Sequence, residues 1–181
     1  MADDLAMTLS REEKMYKTEG NLQTAFAGES QAYMRYTFFA GKAEMEGLPE
    51  LASLFRAAAE AEMVHARNHF QVMGGIGKTK DNLLAAATTE HLELTRVYPG
   101  FIDQAATDRN EQAKASFNYA LNAEKIHNDH FEKAFQAVKA GQKTAQETYF
   151  VCHVCGNLAT KEVPQKCPLC GSASSNFKKV D

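Results

Sequence analysis

The stretch YFVCHVCGNLATKEVPQKCPLCG (residues 149–171) decides how the last part of the chain folds. It contains all four cysteines of the sequence, arranged as two Cys-x-x-Cys pairs, Cys152 with Cys155 and Cys167 with Cys170. A glycine follows each pair, and glycine readily takes the positive φ that turns backbone amides toward the sulfur atoms. Two such turns that face each other form a tetrahedral four-thiolate cage for one metal ion, either iron or zinc.

The residues around this cage form a small domain of their own. The helical period disappears from Tyr149 onward, and Tyr149–Val151 and Asn176–Lys178 are predicted as short strands. About thirty residues cannot bury enough apolar surface to fold alone, so we expect the metal to hold this domain together. Residues 141–148 are short and polar and are predicted to be a linker. The expected domains are therefore residues 1–145 and 146–181.

Upstream of the linker, from about Thr18 to Lys139, the sequence predicts helices. Gly47-Leu48-Pro49 ends the first helix and starts the second, because proline is tolerated in a first helical turn. The glycines of residues 74–77 end the second helix. Pro99-Gly100 is expected to kink or break the third, and residues 108–110 form the turn into a fourth that runs to Gly141. Four long helices with the longer connection in the middle predict a helix bundle.

Each predicted helix offers one glutamate near its middle. Glu29 and Glu62 are 33 residues apart, and Glu90 and Glu124 are 34 apart. Glu62 and Glu124 are each followed three residues later by a histidine, and residues i and i+3 share one face of a helix. This set matches the ligand pattern of ferritin-like di-iron bundles, one Glu from each of two helices and Glu-x-x-His from each of the other two. The predicted ligands are Glu29, Glu62, His65, Glu90, Glu124 and His127.

The third helix adds another carboxylate, because Glu93 stands where the other motifs have histidine. It is an additional ligand that could serve in one oxidation state only. Several glutamates inside a bundle would be very costly without cations. Iron or manganese suits carboxylate and imidazole ligands, whereas zinc is possible but has no redox chemistry. His69 and His130 lie about one turn from the predicted metal plane and are assigned to positions beside the ligands or at the surface.

Composition narrows the class of protein. The net charge is −3 and the pI about 6.1, and no basic run suggests a nucleic-acid or membrane-surface partner. The first twenty residues lack the apolar core of a signal peptide, and no apolar stretch is long enough to span a bilayer. Cysteines confined to Cys-x-x-Cys pairs are typical of a metal site in a reducing compartment. We therefore expect a cytoplasmic location.

Several of these segments together resemble the rubrerythrin family. They are TAFAGESQA (residues 24–32), Glu62-x-x-His65-Ala66, Glu90-x-x-Glu93, Tyr98-Pro99 and Glu124-x-x-His127, followed by the two C-terminal knuckles. The resemblance extends from about Glu19 to Lys178. The eleven residues between the two Cys-x-x-Cys pairs are in keeping with the shortened rubredoxin domain of this family.

The resemblance implies a mainly α protein, a ferritin-like four-helix bundle with a di-iron centre, followed by a small rubredoxin-like domain with short strands and one iron in its four-cysteine site. It implies a peroxidase that reduces hydrogen peroxide to water with electrons from a rubredoxin or an NAD(P)H-dependent reductase. It also implies a homodimer, placed head to tail so that the four-cysteine site of one subunit lies near the di-iron site of the other. The implied di-iron ligands are Glu29, Glu62, His65, Glu90, Glu93, Glu124 and His127. On reduction, one iron is expected to exchange Glu93 for His65. Tyr36 and Tyr98 are expected to form hydrogen bonds to ligand carboxylates.

Two other functions are compatible with the same residues. A ferritin-like ferroxidase or iron-storage protein with a four-cysteine zinc-ribbon tail would use the same bundle ligands, although Glu93 and the rubredoxin-like tail argue against it. A structural or interaction protein with zinc at its sites would use the same cysteine cage, since four thiolates accept zinc as readily as iron.

Overall fold

The computed structural model describes residues 2–144 and 146–180, with side chains described from residue 17 onward. Its helices are α1 (Ala2–Met45), α2 (Pro49–Val72), α3 (Thr79–Leu92), α4 (Tyr98–Thr107) and α5 (Glu111–Lys139). The first helix therefore begins well before the predicted start near Thr18. Residues 2–17 contain no proline or glycine and are rich in Ala, Leu, Met, Glu and Lys, so nothing in their sequence stops the helix.

The chain divides into two compact units, Met1–Ile76 and Gly77–Asp181. In the first unit α1 packs against α2 along a seam of small side chains, which lets the two helix axes approach closely. Gly47 takes a φ of +74° in the turn between them, as the predicted helix boundary requires. Larger apolar side chains flank the seam, and the ring of Phe26 stacks on that of Phe70 with centroids 4.7 Å apart. The buried residues of the seam are Ala40, Ala43, Ala52, Ala59 and Ala66.

In the second unit α3 and α4 pack against α5, which buries Ala87, Ala105 and Ala123. Asn110 caps α5, since its side-chain oxygen accepts the amide hydrogen of Ala113 at 3.0 Å. The small C-terminal domain contains the strands β1 (Tyr149–Cys152), β2 (Leu158–Thr160) and β3 (Phe177–Val180). They form an antiparallel sheet in the order β2-β1-β3.

The third predicted helix is not broken at Pro99. A π-helical turn, Glu93–Val97, joins α3 to α4, and Pro99, which has no N–H to donate, lies in the first turn of α4 directly after it. The amide of Tyr98 bonds to the carbonyl of Glu93, five residues back. The helix thus continues through this segment with a local shift in its hydrogen-bond register, an irregularity of the kind that kinks helices.

The predicted fold class, mainly α with a small C-terminal domain of short strands, is confirmed. Both predicted strands are present, although Asn176 belongs to a short 3-10 helix (Ser174–Asn176) and the sequence does not predict β2. The domain boundary at residues 145 and 146 falls inside the second compact unit and stays a prediction; residues 1, 145 and 181 lie outside the described residues. Within the described residues, no helix combines the length and apolarity that a bilayer crossing requires.

Candidate metal centres

The first cluster of metal-binding side chains lies in the first unit, on α1 and α2. His65 Nδ1 is 3.0 Å from Glu62 Oε2 and 4.0 Å from Glu29 Oε1. One potential ligand atom of each of the three residues lies within 4.8 Å of the other two. Glu62 and His65 meet Glu29 because positions three apart share the helix face that packs toward α1. This first triad can coordinate one cation from three directions.

The second triad repeats this arrangement in the second unit, on α3 and α5. His127 Nδ1 is 2.7 Å from Glu124 Oε2 and 3.6 Å from Glu90 Oε2, and the three ligand atoms again lie within 4.8 Å of one another. Glu90 Oε2 is buried and has no hydrogen-bond partner in the described part of the chain. Burying a carboxylate oxygen without a partner is costly, so this atom fits a bound cation.

The carboxyl groups of each triad shift one another's pKa values. Burial, followed by the neighbouring Glu124 carboxylate, raises the pKa of Glu90 to about 7. In the first triad, a hydrogen bond shared by Glu29 and Glu62 raises the pKa of Glu29 and lowers that of Glu62. Two like charges that lie close together destabilise each other, so Glu29 and Glu90 each bind a proton more readily than an isolated glutamate does. A metal cation would compete with that proton and offset the repulsion.

Glu93 and Tyr98 lie beside the second triad. Glu93 begins the π-helical turn, and burial, followed by the negative charge of Glu124, raises its pKa. Burial and then the charges of Glu124, Glu93 and Glu90 raise the pKa of the Tyr98 phenol. Single π turns are frequent at functional sites. Here the π turn lies next to the triad and carries the additional carboxylate that the sequence predicted.

The four cysteines form a third cluster, in the small C-terminal domain. The Sγ atoms of Cys152 and Cys170 are 3.8 Å apart, and those of Cys155 and Cys167 are 3.6 Å apart. A tetrahedron of sulfurs with metal–sulfur bonds of about 2.3 Å has edges of about 3.8 Å. Cys152 and Cys167 are buried together with Phe177 in the small core of the C-terminal domain. The cage therefore has the size of a tetrahedral four-thiolate metal site.

Hydrogen bonds distribute charge unevenly among the thiols. Burial opposes the ionisation of Cys152, yet hydrogen bonds from the Ser172 hydroxyl and from the amides of Val154 and Cys155 lower its pKa to about 6. The hydroxyl and then the amide of Ser172 lower the pKa of Cys170, whereas burial raises the pKa of Cys155. Four thiolates this close together need a cation to balance their charge, and a metal ion deprotonates coordinating thiols outright.

A hydrogen bond joins the second triad to the first cysteine knuckle, Cys152–Gly156. His127 Nε2 lies 3.2 Å from the carbonyl oxygen of Gly156, the residue that follows Cys155. The two segments lie close together here, since a Cβ added at Gly156 would reach van der Waals distance, 3.8 Å, of Cβ of Ala123 on α5. Because a carbonyl only accepts hydrogen bonds, Nε2 is the donor in this contact, and Nδ1, 2.7 Å from Glu124 Oε2, is the ring nitrogen on the side where a metal ion would bind.

The remaining predicted residues have packing roles in the structure. Tyr36 packs against Phe39 and Phe55, with ring centroids 6.3 and 6.4 Å away, and its hydrogen bond to a ligand carboxylate stays a prediction. The His130 ring packs edge-on against Tyr149 at 5.8 Å. That contact accounts for His130 without a metal.

Two polar residues beside the cage, Asn157 and Ser172, were not predicted from the sequence. Their carbonyl oxygens accept the amide hydrogens of Cys152 (2.9 Å) and Cys167 (2.8 Å), respectively, so each closes one knuckle in the same way. The available signal was positional, because each stands immediately after a Cys-x-x-Cys-Gly segment.

Comparison with known families matches both parts of the chain. The family model described as "Rubrerythrin" matches residues 20–135. The model described as "Rubrerythrin, rubredoxin-like domain" matches residues 150–178. The first match contains both triads and Glu93, and the second contains all four cysteines.

Individual relatives agree with these matches. Rubrerythrin-2 of Clostridium acetobutylicum is 34% identical over 87% of this chain and 93% of its own length. Rubrerythrin of Porphyromonas gingivalis is 35% identical over 90% of this chain and 89% of its own. Among solved structures, the mixed-valent state of nigerythrin matches with a TM-score of 0.51 and 28% identity, covering 90% of this chain and 86% of nigerythrin. With its ferritin-like helices and rubredoxin-like knuckle, the chain belongs to the rubrerythrin family.

Proposed function

We propose that the protein is a non-haem di-iron peroxidase that reduces hydrogen peroxide to water with electrons relayed through an iron ion in the four-cysteine cage. One observation carries this proposal: the hydrogen bond between His127 Nε2 and the carbonyl of Gly156. It links a ligand of the second triad to the residue next to Cys155. A peroxidase needs electrons delivered in every turnover, whereas iron storage needs no such connection.

We infer that the two triads and Glu93 together hold two iron ions. Each triad supplies a Glu from one helix and a Glu-x-x-His pair from another, as in ferritin-like di-iron proteins. Related nigerythrin has been solved in mixed-valent and in fully reduced, all-ferrous states, which favours iron here over manganese or zinc. The proposed ligands are Glu29, Glu62, His65, Glu90, Glu93, Glu124 and His127, with Cys152, Cys155, Cys167 and Cys170 for the cage iron.

The overall reaction consumes one hydrogen peroxide, two electrons and two protons and yields two water molecules. When bound, the two iron ions supply one electron each, and the cage iron replaces these electrons one at a time. The residues of the chain set the geometry of this chemistry. The Gly156 carbonyl holds the proton of His127 on Nε2, so that Nδ1 keeps its lone pair for the metal. Glu93, on the π-helical turn, offers a carboxylate that can join or leave one iron as the charge of the centre changes.

We also propose a homodimer that receives electrons from a rubredoxin or an NAD(P)H-dependent reductase in the cytoplasm. Apolar side chains on α1 and α2 support association, because Phe38 is 65% and Leu54 63% exposed. The in-chain contact between His127 and Gly156 gives each cage a route to a triad of its own subunit, in addition to any route across a head-to-tail dimer.

Stopped-flow spectroscopy tests this function. The protein, reconstituted with Fe(II) without oxygen, is reduced until the visible colour of the cage bleaches and is then mixed with excess hydrogen peroxide, so that the cage as well as the di-iron centre can be oxidised. We expect the colour to return rapidly with peroxide and much more slowly with dioxygen. The matched control is Glu124→Ala, which removes one ligand of the second triad and leaves the cage intact, so that its colour should return slowly with either oxidant.

Two results would overturn the proposal. Slow return of colour with peroxide, together with accumulation of ferric iron under air, would favour the ferroxidase or iron-storage function. Equally fast return in wild-type protein and in Glu124→Ala would mean that peroxide oxidises the cage directly, without the di-iron centre.

A further inference from the structure

Ser172 stands against two sulfur atoms of the cage. Its hydroxyl oxygen lies 3.3 Å from Cys152 Sγ and 3.2 Å from Cys170 Sγ. These sulfurs belong to different knuckles, so one hydroxyl spans the two halves of the cage. The serine is half-buried, which limits competition from water for the same sulfurs.

The backbone holds this hydroxyl in place. The carbonyl oxygen of Ser172 accepts the amide hydrogen of Cys167 at 2.8 Å, and the amide of Gly171 bonds to the carbonyl of Cys167 at 2.8 Å. Gly171 takes a φ of +73°, which turns the chain so that Ser172 faces the cage. The hydroxyl position therefore follows from the knuckle turn itself.

The equivalent residue of the other knuckle differs in its side chain. Asn157 closes the first knuckle with its carbonyl oxygen as Ser172 closes the second. Its side-chain oxygen, however, is buried without a hydrogen-bond partner in the described part of the chain. Asn157 carries an amide where Ser172 carries a hydroxyl. The hydroxyl at the cage is thus specific to the second knuckle.

We propose that Ser172 is a positioning residue that raises the reduction potential of the cage iron by donating one hydroxyl hydrogen bond that the thiolates of Cys152 and Cys170 share. The inference rests on the proposed function, in that it takes the cage metal to be iron. Once the thiols are metal-bound thiolates they only accept hydrogen bonds, so the proton comes from the serine. Reduction adds negative charge to the sulfurs and strengthens the bond, which stabilises the reduced state.

The test is the midpoint potential of the cage, measured by anaerobic spectroelectrochemistry on the full-length, iron-loaded protein. In Ser172→Ala we expect a more negative potential with unchanged cage iron content. At the potential that half-reduces the wild-type cage, the ratio of reduced to oxidised cage should fall by roughly three- to tenfold, and tenfold corresponds to about 59 mV for one electron. Ser175→Ala, in the exposed 3-10 helix, is the matched control and should retain the wild-type potential.

Ser172→Thr and Ser172→Val provide a second comparison, because they have nearly the same shape and differ in the hydroxyl. The Thr variant should stay near the wild-type potential, and the Val variant should fall below it. Electron–nuclear double resonance of the ferric cage should detect an exchangeable proton coupled to the iron in wild-type and Thr protein that is lost in Val protein.

Equal potentials for the Thr and Val variants, or a potential in Ser172→Ala at or above that of wild type, would overturn the proposal. Neither outcome depends on peroxide turnover. A protein that fails as a peroxidase can still show the Ser172 effect, and a protein without that effect can still be a peroxidase.

Discussion

Replacing Glu90 with glutamine should stabilise the metal-free protein at neutral and alkaline pH while it weakens metal binding. The Glu90 side chain is only 17% exposed, and one of its oxygens is buried without a partner. Burial and the neighbouring Glu124 raise its pKa from 4.5 to about 7. The folded state therefore binds the Glu90 proton more tightly than the unfolded state does. The resulting stability is fully present below pH 4.5 and is lost as the pH rises through 7.

The magnitude follows from the pKa difference. One pKa unit corresponds to about 1.4 kcal/mol, so the rise in the Glu90 pKa corresponds to about 3 kcal/mol at most, and water at the exposed edge of the side chain screens part of it. Glutamine cannot ionise and so avoids this loss. Relative to wild type, Glu90→Gln should gain about 1–3 kcal/mol of unfolding free energy between pH 4.5 and pH 8. For a chain of this size that amounts to a melting temperature higher by up to roughly 10 °C at pH 8.

The assay is urea denaturation of chelator-treated protein at pH 4.5, 6 and 8, repeated with Fe(II) present and oxygen excluded. Glu132→Gln, an exposed position on α5, is the matched control and should leave the pH dependence unchanged. At pH 8, added Fe(II) should make wild type more stable than Glu90→Gln, because metal binding to the folded state stabilises wild type more than the variant. A stability difference between Glu90→Gln and wild type that does not change with pH would refute the electrostatic reasoning.

Three further substitutions test other parts of the site and fold. Cys155→Ala should remove the visible colour of the cage, yet its reduced di-iron site should still consume one equivalent of peroxide in single-turnover stopped flow. Loss of that reaction would show that the di-iron site does not react independently of the cage. Glu93→Ala should keep the circular dichroism spectrum and much of the iron but slow steady-state peroxide turnover, and unchanged turnover would exclude a role as exchangeable ligand. Gly75→Ala should lower the unfolding free energy by about 1–3 kcal/mol, because the added Cβ would lie 2.1 Å from the Phe70 ring. Gly41→Ala, whose Cβ would have no neighbour within 4 Å, should be neutral or stabilising in the same urea titration.

The features that the sequence predicted correctly depend on short-range periodicity. Glu62 with His65 and Glu124 with His127 form contacts because residues three apart share one face of a helix wherever that helix lies. The cysteine cage is local in the same sense, since two tight turns separated by eleven residues place four sulfurs together. Helix ends at glycines were also predictable, because a φ of +74° at Gly47 is one that other residues rarely adopt.

The features that the sequence did not predict depend on packing between distant segments or on local hydrogen-bond competition. The sequence predicts a kink or break at Pro99 where the structure has the π-helical turn Glu93–Val97, because composition does not reveal a shift from four-residue to five-residue hydrogen bonds. The bond between His127 and Gly156 joins residues 29 positions apart. No periodic pattern encodes such a contact, which exists because α5 and the knuckle pack together in the second unit.

The two knuckles are alike in their backbone and divided in their roles. In both, the amide of the first cysteine bonds to the carbonyl five residues on, and the glycine amide bonds back to that cysteine. Gly156 of the first knuckle accepts a hydrogen bond from His127, whereas Ser172 of the second contacts two sulfurs with its hydroxyl. The proposed electron route to the second triad and the hydrogen bond that we propose to tune the cage potential therefore lie on opposite turns. A change at Ser172 should alter the driving force for electron transfer without altering its path, whereas a change at His127, a proposed metal ligand, should alter both.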